Sequence, residues 1–221
     1  SRYLAHHGYG VLAVDLPGHG RSAGTALASV GELADWISAL QDAAGVKQAA
    51  IVGHSMGSLI ALECAARRPE QVAKIALLAT AYPMKVSAEL LDATKDDEPR
   101  AQGMVNIWSH LAYAQYPNNP GPGFWVIGEN LRLMQRQRPG VMHVDFAACN
   151  AYGGGADAAA KVRCPALFLL ARRDAMTPMR AAQDFAKSVQ GARVVVIDGS
   201  GHNMMGEKPD EVLDALLAFL K

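Results

Sequence analysis

Ser55 stands in Gly53-His54-Ser55-Met56-Gly57, with one glycine two residues before it and another two residues after it. A serine hydroxyl is a weak nucleophile until a base takes its proton, and the base needs an acid to hold its tautomer. Seven histidines compete for the first role. His6 and His7 read as a solvated helix end, His19 lies in a glycine-rich turn, and His110 and His143 fall in a stretch of different character. His54 adjoins Ser55, so its side chain is expected to point elsewhere. His202, in Gly199-Ser200-Gly201-His202, is the candidate base. Asp174, in Arg172-Arg173-Asp174-Ala175-Met176-Thr177-Pro178, is the candidate acid. Its rival Asp198 lies four residues before His202 and is better suited to capping that turn. Asp145 and Asp157 are weaker candidates still.

These side chains need a scaffold that brings them to one rim. Short apolar runs at Val11–Asp15, Ala50–Val52, Ile75–Thr80, Ala166–Ala171 and Arg193–Ile197 read as strands buried on both faces. Helical patterns lie between them, at Ala28–Ala43, Ser58–Arg67, Met179–Ser188 and Glu211–Leu220. The alternation predicts an α/β fold, a mostly parallel sheet flanked by helices. Ser55, Asp174 and His202 each follow a predicted strand, so all three belong at the carboxyl ends of the strands, where open α/β sheets gather their sites.

The stretch 83–161 breaks the alternation. It carries Pro99, Pro117, Pro120, Pro122, Pro139 and the run Gly153–Gly155, with helical patterns near Arg100–Ala114 and Phe124–Arg136. It is expected to be an insertion folded over the sheet, so that 1–82 and 162–221 form the two parts of one core.

A serine at the tip of a strand-to-helix turn takes strained backbone angles. Strand and helix then approach closely, and Gly53 and Gly57 are both expected to leave room for that approach. The Met56 N–H, at a helix start, would face a developing oxyanion.

Composition excludes several classes. Hydrophobic residues make up 50% of the 221 and charged residues 19%, which is globular. Lys plus Arg (21) equals Asp plus Glu (21), which argues against nucleic acid or an anionic membrane surface as the main partner. No apolar run approaches the ~20 residues of a membrane span. Cys64, Cys149 and Cys164 are far apart and match no metal spacing, so reduced thiols and a cytoplasmic location are expected. Gly18-His19-Gly20-Arg21-Ser22-Ala23-Gly24 has the wrong glycine spacing for a dinucleotide site.

The motifs together resemble the α/β-hydrolase superfamily, in its capped esterase- and lactonase-like branch. Asp15-Leu16-Pro17-Gly18-His19-Gly20-Arg21-Ser22 resembles its D-x-P-G-x-G-x-S turn, Gly53–Gly57 its nucleophile elbow, and Arg173-Asp174 and Gly201-His202 its acid and base loops. The order Ser55, Asp174, His202 is that family's order. The resemblance implies a catalytic Ser55, Asp174 and His202, Met56 N–H as oxyanion donor, and a helical cap at 83–161 supplying Trp108, Tyr113, Phe124, Trp125 and Met134 to a substrate pocket. It implies small to medium carboxylic esters or lactones as substrates, and neither metal nor organic cofactor. A carbon–carbon bond hydrolase, a haloperoxidase or acyltransferase with the same triad, and a non-catalytic remnant are the alternatives.

One family feature has no counterpart. A strand ending in a His-Gly turn, whose loop donates the second oxyanion N–H, does not precede Tyr9, although His7-Gly8 matches the letters. With a first residue Ser1, the expectation is an amino-terminal truncation of a longer protein. Direct pairing of Val11–Asp15 with Ala50–Val52, and a degenerate relative, are the alternatives.

Overall fold

Parallel strands need helical crossovers, and the chain supplies them in order. A computed structural model describes residues 1–115 and 123–221. The chain begins with α1 (Arg2–His6), α2 (Val30–Ala43), β1 (Ala49–His54), α3 (Met56–Arg67) and β2 (Val72–Leu78). Five helices follow, α4 (Ala88–Asp96), α5 (Glu98–Ser109), α6 (Val126–Gln135), α7 (Val141–Ala151) and α8 (Gly155–Lys161), with a 3-10 turn at Ala112–Gln115. β3 (Ala166–Ala171), α9 (Met179–Ala186), β4 (Arg193–Ile197), α10 (Met204–Glu207) and α11 (Pro209–Leu220) complete it. Pro117, Pro120, Pro122 and the Tyr113 side chain lie outside the described residues.

The sheet is four-stranded in the order β1-β2-β3-β4, and every pairing is parallel. Side-chain alternation divides its core. Ile75, Leu77, Phe168 and Leu170 face α2, α3 and α9, whereas Ala76, Leu78, Leu167 and Leu169 face Val212 and Leu216 of α11. α3 is the central helix: Leu59, Ala61, Leu62 and Cys64 are fully buried, against the sheet on one side and α2 and α8 on others. α2 starts where Ser29 caps it, its hydroxyl oxygen accepting from Glu32 N at 3.2 Å.

Val11–Asp15 is a correction. It forms no strand and pairs with nothing, neither Ala50–Val52 nor any other described segment. An apolar run becomes a strand only beside a partner that takes its N–H and C=O groups. Here β1 bonds β2 alone, so its other edge is open among the described residues, and Val52 (43% exposed) stands beside it. Leu12 (62%) and Val14 (41%) are likewise exposed. The turn that follows is well made: Asp15 Oδ2 accepts from Arg21 N at 2.9 Å and Asp15 O from Ser22 Oγ at 2.6 Å.

Between β2 and β3 the chain is more helical than its prolines and glycines suggest. α4, α7 and α8 were not expected, and the pattern Arg100–Ala114 divides into α5 and the 3-10 turn. Leu90, Ala93, Ala101, Val105 and Met142 give these helices an apolar cluster of their own. Met134 packs against that cluster. Gly155 opens α8 because a side chain there would run into the Tyr82 ring.

The two glycines of the Ser55 turn are not equivalent. A Cβ at residue 53 would collide with the backbone carbonyl of Gly57, whereas a Cβ at residue 57 would meet no atom within 4 Å. The expectation that both were needed for close approach holds for Gly53 alone. Gly53→Ala should therefore lower unfolding free energy by about 3 kcal/mol, while Gly57→Ala, within α3, should be neutral or add about 0.5 kcal/mol. Denaturant unfolding of both variants checks this; equal losses would refute the asymmetry.

Candidate active site

Ser55 joins the end of β1 to the start of α3 with φ 52° and ψ −119°. A non-glycine residue at positive φ costs on the order of 1–3 kcal/mol and persists only where its surroundings impose it. Here Ser55 N donates to Leu78 O at 2.9 Å, and Ser55 O accepts from Ser58 N at 2.9 Å. The buried Ser58 hydroxyl lies 2.5 Å from Ser55 O and 2.7 Å from Thr80 Oγ1, joining the turn to the chain beyond β2. The Met56 N–H belongs to the first turn of α3, where helix N–H groups have no intrahelical acceptor.

The structure brings Asp174 and His202 together. His202 Nδ1 lies 2.9 Å from Asp174 Oδ2, with the two side chains 6% and 1% exposed. Asp174 is saturated: Oδ1 accepts from Met176 N and Thr177 N at 2.8 Å each, and Oδ2 from Thr177 Oγ1 at 2.7 Å. Burial pushes its carboxyl up, but hydrogen bonds from His202 and Thr177 and the His202 charge outweigh burial, so it titrates below its ordinary value. It is thus an anion facing Nδ1, which places the Nδ1 proton towards Asp174 and frees Nε2 to act as a base. The rival Asp198 is exposed and pairs with Arg172. Asp145 pairs with His19 at 2.8 Å, and Asp157 is exposed in the first turn of α8.

His202 sits on a loop, and other groups hold that loop. His54 Nε2 lies 2.9 Å from His202 O, with ring centroids 4.7 Å apart. Burial and the neighbouring His202 push His54 down to about 4. His54 is therefore neutral near pH 7, and its Nε2–H donates to the His202 carbonyl. Glu207 (2% exposed) accepts from Gly201 N at 2.7 Å and from Leu111 N at 2.8 Å. Asn203 N donates to Ser109 O at 2.9 Å. The end of α5 thus braces the histidine loop. None of these partners was legible in sequence, although His54 was dismissed only because it adjoins Ser55.

A cavity of about 370 Å³ opens over Ser55 and His202. Trp108 lines it, as the resemblance implies. Phe124 and Trp125 do not. Phe124 lines a separate depression beside Lys208 and Pro209, and the Trp125 ring folds back over Gly128 of its own helix, where a Cβ would stand. The apolar wall comes instead from Leu90, Phe146 and Met176, with Lys85 and Thr177 among its polar members. Cys149 also reaches the cavity, but burial pushes its thiol up to about 12, which leaves it a poor nucleophile near pH 7. Cys64 is likewise pushed to about 12, and all three cysteines are free. Among the described residues no cluster of three His, Cys, Asp or Glu side chains is placed to hold a metal ion, and no helix is long and apolar enough to cross a membrane.

A parallel sheet wrapped by helices, with Gly-x-Ser-x-Gly at a strand-to-helix turn, defines the α/β-hydrolase class of enzyme. Residues 1–215 match the model of the alpha/beta hydrolase family, and the chain belongs to that family. It is similar to (E)-2-((N-methylformamido)methylene)succinate hydrolase of Acinetobacter baylyi, 25% identical over 99% of this chain and 82% of that protein. It is also similar to the pimeloyl-(acyl-carrier protein) methyl ester esterase of Neisseria meningitidis, 29% identical over 87% of this chain and 75% of that protein. Among solved structures, a thermophilic esterase superimposes with a TM-score of 0.79 at 27% identity, covering 93% of this chain and 78% of its own. The enol-lactonase of Burkholderia xenovorans shares the fold, with a TM-score of 0.82 at 20% identity over 93% of this chain and 78% of its own.

The half-buried His54 has a consequence for stability. Its folded value, about 4, lies below the ordinary 6.5, so the unfolded chain takes up the proton first as pH falls. Stability should drop from pH 6.5 down to about 4 and change no further on this account below that. The total is about 3 kcal/mol. Denaturant unfolding across this window should show His54→Asn losing that much less than the parent; parallel losses would contradict the assignment.

Proposed function

We propose that the chain is a serine hydrolase acting on small to medium carboxylic esters or lactones through an acyl-enzyme on Ser55. The observation that carries the reading is the buried Asp174–His202 pair, 2.9 Å apart, opening on the same cavity as the strained Ser55. In this reading 83–161 is the cap over a core made of 1–82 and 162–221. The relatives named as an ester esterase and a succinate-derivative hydrolase, and the esterase and lactonase folds, support a carboxylic acyl substrate.

The chemistry follows from the geometry. His202 Nε2 takes the Ser55 proton as Oγ attacks the acyl carbon. The Met56 N–H, at the positive end of α3, faces the oxygen on which charge develops. Asp174 steadies the imidazolium without accepting its proton. As the tetrahedral adduct collapses, His202 returns the proton to the leaving alkoxide, which departs from an ester or stays tethered in a lactone. His202 then activates a water that frees the acid and restores Ser55.

A panel of p-nitrophenyl esters and simple lactones tests the reading. The parent should turn them over with a burst of p-nitrophenol, and Ser55→Ala should show neither burst nor turnover. Asp174→Asn should fold but lose about 10⁴-fold in kcat. Parental rates in Ser55→Ala would overturn the proposal.

A further inference from the structure

Among the described residues, the wall of the Ser55 cavity carries one permanent cation. Lys85 lies between β2 and α4, and its Nζ donates to Asn150 O at 3.1 Å. The same Asn150 accepts from Val86 N through Oδ1 at 3.1 Å, so one residue of α7 fixes both the ammonium and the backbone beside it. Nζ carries three N–H donors, and among the described residues the bond to Asn150 O uses one of them. The remaining wall near it, Leu90, Phe146 and Met176, is apolar. No Asp or Glu is among the described residues lining the cavity. Of the acidic residues on the elements around it, Glu89 of α4 pairs with Arg100 at 2.6 Å and Asp145 of α7 with His19 at 2.8 Å, while Asp92 and Asp96 of α4 do not line the cavity.

Lys85 is exposed, so it stands at the rim of a largely apolar cavity, and an ammonium there, with no carboxylate among the described lining residues, is complementary to an anion that arrives with the ligand. We infer that the acyl group of the substrate itself carries a carboxylate, received by Lys85 while Ser55 attacks the ester carbonyl at the other end. The substrate class is then the half-ester, or lactone equivalent, of a dicarboxylic acid. This rests on the hydrolase reading of the site. A carboxylate at that rim gains a charge-assisted hydrogen bond from Nζ, whose position is already biased by its bond to Asn150 O. An uncharged acyl chain would gain nothing from Lys85.

The test compares mono-p-nitrophenyl adipate with its methyl-capped neutral analogue, both read by p-nitrophenol release. The parent should prefer the carboxylate ester. Lys85→Met, which keeps the stem and removes the charge, should lower the ratio of the two kcat/KM values about fivefold, and Lys85→Arg should restore most of it. The parental preference should also shrink in ~1 M salt, where the Debye length is ~3 Å. A ratio that ignores both variants and salt, with both esters hydrolysed, would overturn the inference and leave the hydrolase reading standing. If neither ester is hydrolysed, the hydrolase reading fails and binding decides the subsite. Thermal stabilisation by monomethyl adipate over dimethyl adipate, lost in Lys85→Met, supports it, and equal stabilisation overturns it.

Discussion

The backbone of Gly53 lies against that of Gly57, and the rest of the site depends on this contact. It forces the chain to reverse from strand to helix within one residue, and that residue is Ser55 at φ 52°. The strain stays because both neighbours are rigid. β1 is paired to β2 through Gly53 and His54, and α3 is buried on nearly every side. A hydroxyl placed by such a turn loses little freedom on the way to reaction, which is where preorganised sites gain their advantage. The same turn opens a helix at the next residue, so one strained residue presents a hydroxyl and its neighbour a backbone N–H, the pair the proposed reaction uses.

The sheet's direction does the remaining assembly. Ser55, Asp174 and His202 follow β1, β3 and β4, and parallel strands deliver their carboxyl ends to one rim. Strands alone leave the loops loose, and further contacts correct that. Arg173 N donates to Ser200 O at 3.3 Å, tying the loop of Asp174 to the loop of His202. Glu207 and Ser109 connect the histidine loop to the end of α5, and His54 holds it from β1. The helical segment between β2 and β3 therefore walls the cavity and also supports the loop of His202. It is fastened to the other side of the core by Tyr152 to Glu63 at 2.7 Å, His19 to Asp145 and Arg138 to the carbonyls of Ser22 and Gly24.

Local rules carry over well where they act within a few residues. Ala166–Ala171 is apolar throughout and is a strand buried throughout. The glycine before Ser55 signals a close approach that the backbone makes. Such rules fail where an element needs a distant partner. Val11–Asp15 has a strand's composition but no neighbour to bond, and composition cannot supply one. α4 was legible in principle, since Ser87 caps it and Leu90, Ala93 and Thr94 share one face. The pocket shows the same limit. Trp125 is a large aromatic in the right segment, yet its ring covers Gly128, while Lys85 and Phe146, unremarkable in sequence, reach the cavity.

The central claim is that Ser55 and His202 act as one unit within this chain. Intact-mass measurement after incubation with a fluorophosphonate probe tests it most directly, because the probe reacts with a serine only when a base has activated it. The account predicts one adduct on the parent, none on Ser55→Ala, and much slower labelling of His202→Gln. An unlabelled parent, or equal labelling of parent and Ser55→Ala, would contradict it.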